Sequence, residues 1–147
     1  MGRVAGCVAG RVVWLAVLAL GIGISLGQGH FFATAQAQQK PSIQSLLQTD
    51  LTNLPGQETI LEVLTIPPGG ATPRHIHPDG HEIVYVLEGS TTAEIDGRET
   101  RTYGVGKVVH VPPNVPHIGR NASATEPLKV LIVRIKDKSK PVMVPTK

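Results

Sequence analysis

In the stretch GGATPRHIHPDGHEIVYVLEG, residues 69–89, two histidines stand two positions apart and a glutamate follows shortly after. On an extended segment His75 and His77 project from one face, and Glu82 begins the next extended run, close enough to converge with them. A further imidazole, His117, follows the turn VPPNVP much later in the chain. Three imidazoles and one carboxylate around a point would suit a borderline or fairly hard first-row dication, namely Fe, Mn, Co, Ni or Zn, with positions left open on the ion. Calcium would demand more oxygen donors.

The neighbouring polar residues sort by strand parity. His81 precedes Glu82 and should point away from the ligand face, Arg74 has the opposite parity to His75 and is expected outside, and Tyr85 falls on the far face from Glu82. His110 reads as a strand residue or hydrogen-bond partner rather than a ligand. The ligand-bearing strands otherwise offer mostly Val, Leu and Ile, so no independent general base is evident and chemistry would fall to the metal itself.

The elements that must position these residues are short and β-like. From residue 57 onward, runs rich in β-branched residues alternate with Gly and Pro, which predicts strands at 58–66, 74–77, 82–88, 91–95, 99–103, 107–111 and 128–136. Asp96-Gly97 reads as a two-residue hairpin turn. Short strands without a long helical pattern indicate an antiparallel sandwich or barrel. Residues 38–57 are polar and broken by Pro41 and Pro55; Leu47, Leu51 and Leu54 fit a helical turn or two, and an arm draped on a sheet fits as well. Arg134, Lys136, Lys138 and Lys140 read as a solvated strand face fraying into a tail over 137–147. Leu128, Val130 and Ile132 share one face of that strand and Leu131, Val133 and Ile135 the other, so both faces should be covered, the second by another copy in a homodimer.

The N-terminal 37 residues read as an export signal. Arg3 and Arg11 give a positive start, Val12 to Leu26 is uncharged and apolar but shorter than the roughly 20 residues of a spanning helix, and Ala35-Gln36-Ala37 offers a cleavage site. The mature protein is therefore expected in the periplasm or secreted, with a membrane role only if the segment stays uncleaved. Cys7 precedes the apolar run, and Arg3 and Arg11 lie far apart, so neither a lipid anchor nor a twin-arginine signal is expected. Setting this segment aside removes two of the 14 Lys and Arg and leaves 12 against 11 Asp and Glu, a near-neutral chain. It also removes Cys7, Trp14, Phe31 and Phe32. With no cysteine and only Tyr85 and Tyr103 as aromatics, the remainder has neither a disulfide framework nor the basic and stacking surfaces that nucleic acid requires. A domain this small relies on aliphatic packing, a metal or oligomerisation.

Two spaced motifs carry a family resemblance. Gly69, five residues, His75-Ile76-His77, four residues, Glu82, six residues, Gly89 is similar to the first motif of the cupin superfamily. Gly106, five residues, Pro112, one residue, Asn114, two residues, His117, three residues, Asn121 resembles the second, with Asn114 where the family usually has Gly. Asn tolerates the left-handed turn conformation that Gly would adopt there, and Asn121 takes a family turn position. The resemblance spans about residues 58–136 and implies an all-β cupin barrel, a double-stranded β-helix or jelly roll, with His75, His77, Glu82 and His117 as ligands of one divalent transition metal inside its mouth. A metal-free cluster of three imidazoles and a carboxylate would be hard to satisfy in a buried site. The resemblance implies metal-dependent, dioxygenase-like chemistry on a small organic molecule, with non-redox isomerase or hydrolase chemistry and non-catalytic ligand binding or sensing as alternatives, since the fold hosts all three. The lack of Phe and Trp predicts a small aliphatic pocket.

Overall fold

Alternation sets the longest pairing. In β2 (Gln57–Ile66) and β9 (Leu128–Asp137) every second side chain turns inward, and the register that joins Leu64 to Val130 and Ile66 to Leu128 places apolar residue against apolar residue. The computed structural model describes residues 40–147, and among them there is no helix. The proposed signal segment lies outside the described residues.

Among the described residues, ten strands form two five-stranded antiparallel sheets. One has the order β1 (Ser42–Asp50), β2, β9, β4 (His81–Glu88), β7 (Val108–Val111). The other runs β10 (Val144–Pro145), β3 (His75–Ile76), β8 (His117–Asn121), β5 (Ser90–Ile95), β6 (Arg101–Gly104). This is the all-β jelly-roll architecture that the sequence predicts.

Two apolar clusters fill the space between the sheets. Leu64, Ile66, Val86, Leu128, Val130 and Ile132 form the first, and Ala93, Ile95, Val109 and Val111 the second, with Val84 and Tyr103 packed against both. A fully buried aliphatic side chain contributes about 1.5–3 kcal/mol. These clusters, with no disulfide among the described residues, carry the fold.

Several sequence expectations change. Of the two forms open to the N-terminal arm, a helical turn and an arm draped on a sheet, residues 42–50 take the second, as an edge strand paired along β2 with a register shift between Ser45 and Leu47. The hairpin around Asp96-Gly97 is wider than two residues: β5 and β6 pair only as far as Ala93 and Arg101, because Glu94 and Ile95 pair with β8 alone. The turn itself survives, with Arg98 N–H donating to Ile95 O at 3.0 Å and Gly97 at a φ of 75°. Strands β8 and β10 are additions. The largest correction concerns Arg134 and Lys136, which are buried rather than solvated. They share parity with Leu128, Val130 and Ile132, so the strand carries them into the barrel, where each meets a carboxylate: Arg134 meets Glu62 and Glu82, and Lys136 meets Glu58 at 2.9 Å. Only Lys138 and Lys140 are exposed, as expected of a tail.

Candidate metal centre

The two sheets deliver the candidate ligands from opposite sides. His75 opens β3, His77 follows it, and His117 opens β8 directly opposite His75 in the ladder. Glu82 comes across the barrel from β4. All four side chains are buried, at 3–5% exposure, which for three imidazoles and a carboxylate demands compensation.

The imidazoles are already aimed. Nδ1–H of His75 donates to the Pro73 carbonyl at 2.7 Å, that of His77 to the Val142 carbonyl at 2.5 Å, and that of His117 to the Val115 carbonyl at 3.0 Å. Each carbonyl accepts a proton on Nδ1, which in the neutral ring leaves the lone pair on Nε2. The ring centroids lie 4.2–5.1 Å apart, and each ring can offer a nitrogen within 4.8 Å of the others. Buried Nε2 atoms of His77 and His117 have no hydrogen-bond partner. Glu82 Oε2 lies 2.9 Å from His77 Nε2 and Oε1 lies 3.6 Å from His117 Nε2, proximity without hydrogen-bond alignment. Converging, orphaned lone pairs beside a carboxylate are the donor set a divalent cation satisfies, so the three histidines could hold a metal ion.

The electrostatics keep His75 and Glu82 in their ligating forms. Burial lowers the His75 pKa to about 4, and its two imidazole neighbours add to the effect, so the ring is neutral near pH 7. Burial pushes the Glu82 carboxyl up, but the charge of Arg134, whose Nε and Nη2 both meet Oε2, opposes this and holds it below the usual carboxylate range. Arg134 is the residue that motif reading missed. The strand alternation through Leu128, Val130 and Ile132 was the signal that could have found it.

Residues excluded by parity do lie apart. His81 and His110 are on the outer face, joined by a 3.0 Å Nδ1 to Nε2 hydrogen bond. Arg74 pairs with Asp96 at 2.5 Å on the outside, and Tyr85 is exposed at 41%. Asn114 takes the left-handed conformation, φ 62°, that the motif's usual Gly would. Asn121 is buried, and its Nδ2 donates to the carbonyls of Ile66, Pro67 and Glu126, tying the β2 and β9 ends to β8.

A cavity of about 60 Å³ adjoins the histidines, bounded by His75, His117, Val84, Val109, Val111 and Ile132. The inward ionisable side chains of β2 and β9 are held in ion pairs, so beside the histidine and carboxylate cluster the cavity wall is mostly aliphatic, with Thr72 and Thr91 as its hydroxyl-bearing residues.

Residues 62–134 match the family described as "Cupin domain". Germin-like protein subfamily 2 member 2 of Arabidopsis thaliana is 34% identical over 91 residues, covering 56% of this chain and 40% of the plant protein. The chain thus spans less than half the length of that relative. Among solved structures, the DMSP lyase DddQ of Ruegeria pomeroyi DSS-3 superposes with a TM-score of 0.52 at 27% identity, over 60% of this chain and 43% of the lyase. An oxalate oxidase superposes with a TM-score of 0.57 at 21% identity, over 76% of this chain and 57% of the oxidase, a likeness of fold.

Proposed function

We infer that this chain, built on a cupin domain over residues 62–134, holds one divalent transition metal through His75, His77, Glu82 and His117 and uses it in dioxygenase-like chemistry on a small organic molecule. The carrying observation is the set of three imidazoles whose Nδ1 atoms are each committed to a backbone carbonyl, which leaves Nε2 free for an ion, beside Glu82 and a mostly aliphatic cavity that His75 and His117 line. Fe, Mn, Co, Ni and Zn all accept such donors. When bound, the ion supplies Lewis acidity and, for iron or manganese, a redox centre. The protein's own residues do the rest: the three histidines and Glu82 would hold the ion, Val84, Val109, Val111 and Ile132 give the adjoining cavity an apolar wall, and Arg134 and Lys136 are committed to ion pairs with Glu62, Glu82 and Glu58.

A second, non-redox reading has one specific support, the resemblance to a lyase at 27% identity. Polarisation of a bound carboxylate or carbonyl needs the same site without dioxygen. A carrier or sensor would bind the same ligands without turnover.

We propose that residues 1–37 act as an export signal, with this activity in the periplasm or outside the cell, and that the chain pairs as a homodimer, a reading supported by the exposed apolar residues on the outer face of the β4 and β9 strands. The deciding experiment is elemental analysis of protein purified from the exported fraction, followed by oxygen uptake with small carboxylates, oxalate first. Uptake lost in Glu82→Gln and retained in His81→Gln supports the oxygenase reading. Product without oxygen uptake favours the lyase-type reading, and saturable binding without product favours the carrier. Turnover that survives complete metal removal overturns the metal-centred proposal.

A further inference from the structure

His75 and His117 each use the carbonyl two residues upstream, Pro73 and Val115, so their orientation is local. His77 differs. Its Nδ1–H is received by Val142, 65 positions away, in the segment after β9 that the sequence reads as a frayed tail. We propose that residues 141–147 are a strap built into the metal centre, and that the Val142 carbonyl is a positioning group that selects the tautomer of His77 and aims its Nε2 at the ion. The inference rests on the metal reading above.

The strand that carries His75 and His77 needs such support. β3 has two residues, and its ladder to β8 is the single pair His75 to His117. Its other edge is completed by the strap, with Val144 opposite Ile76 and Pro145 opposite His75. Thr146 N–H donates to Arg74 O at 3.0 Å, and Arg74 Nε–H donates to Lys147 O at 3.2 Å, so the strap is tied at its far end to the residue just before the first ligand. Asn114 N–H holds the His77 carbonyl at 3.0 Å, which fixes the backbone and leaves the ring to Val142. Val142, Met143 and Val144 are 36–41% exposed, so the strap is held by hydrogen bonds more than by burial. Segments with that profile open at low cost relative to the core. Loss of the group that orients a ligating histidine typically lowers metal affinity by about 10–100-fold.

The test compares the full chain with a chain ending at Lys140, using Zn²⁺ and Co²⁺ competition against a chelator and ¹⁵N resonances of the histidine rings in the metal-free proteins. The truncated chain should bind each ion about 10–100-fold more weakly. In it His77 alone should lose its Nδ1–H preference, while His75 and His117 keep theirs. Affinities within twofold of the full chain, or a His77 tautomer that truncation leaves unchanged, would overturn the proposal. Should the truncated chain fail to fold, the full chain still decides, because His77 there must carry its proton on Nδ1; a proton on Nε2 sinks the strap's role. A full chain with the expected His77 tautomer that binds neither ion would leave the positioning contact in place but refute the metal reading, and with it the strap as part of a metal centre.

Discussion

Arg134 and Glu82 sit opposite each other in the β9 to β4 ladder, and Nε and Nη2 of the guanidinium lie 2.9 and 2.7 Å from the same carboxylate oxygen, Oε2. The other oxygen, Oε1, stays on the His117 side. Arg134 also meets Glu62, so one buried cation stands between two carboxylates. Replacing it by an apolar side chain, Arg134→Met, leaves both without their partner, and breaking a buried pair in this way costs about 3–5 kcal/mol. A bound dication would neutralise Glu82 in place of the guanidinium. Urea unfolding of the metal-free variant should therefore show the full loss, and unfolding with saturating metal a smaller one. Equal losses in both states would mean that Glu82 faces Arg134 and not the metal.

The site was legible in the sequence to the extent that it depends on local spacing. The two-residue step from His75 to His77, the turn before Glu82 and the VPPNVP turn before His117 each act over a few positions, and the structure brings those four residues together. What escaped depends on distant partners. Val142 serves His77 only because β10 folds back onto β3, and nothing in PVMVP marks that pairing. Arg134 and Lys136 were misread for a different reason. Charge outweighed parity, although Leu128, Val130 and Ile132 already set which face of β9 turns inward, and Glu58 and Glu62 on β2 supply the matching alternation.

The motif glycines should separate by what surrounds them. Both Gly69 and Gly89 hold a positive φ, 66° and 76°. A Cβ at Gly69 meets nothing within 4 Å, whereas one at Gly89 would lie 2.8 Å from the Pro127 carbonyl oxygen and 3.3 Å from Leu128 Cα, backbone that cannot swing aside. Gly69→Ala should cost about 1–2 kcal/mol, the conformational penalty alone. Gly89→Ala should cost clearly more and weaken the β4 to β9 end of the barrel. Thermal unfolding of the two variants checks the order, and equal melting temperatures would contradict it.

The outer face of the β4 and β9 strands carries the homodimer expectation. Ile83, Tyr85, Leu87 and Ile135 are 36–41% exposed there, and neighbouring Val108 on β7 is 53% exposed. Exposed apolar side chains grouped on one sheet face are a candidate contact for a second copy. Sedimentation equilibrium should give a dimer for the unaltered chain. The double substitution Tyr85→Lys and Leu87→Lys, which adds charge to the outer face and leaves the ligands untouched, should give a monomer with a similar metal content. A monomeric unaltered chain at micromolar concentration would refute the expectation.

The acid sensitivity of the metal-free protein follows from His75. Its pKa is depressed to about 4 in the folded state against an ordinary value of 6.5, with burial as the main cause. Between those values the unfolded chain binds a proton that the folded chain refuses, so the neutral ring's contribution is present above about pH 6.5 and is lost as pH falls toward 4. The slope from this one group reaches about 1.4 kcal/mol per pH unit within the window. Glu82, held below the usual carboxylate range, adds loss of the same sign at lower pH. Denaturant unfolding at pH 7.5, 6.0 and 5.0 should show stability falling through that window, and His75→Gln, which cannot titrate, should flatten the dependence. Saturating metal should hold His75 neutral and push the fall to lower pH, since protons and the ion compete for the same Nε2. A variant that keeps the full pH slope would assign the sensitivity to another group.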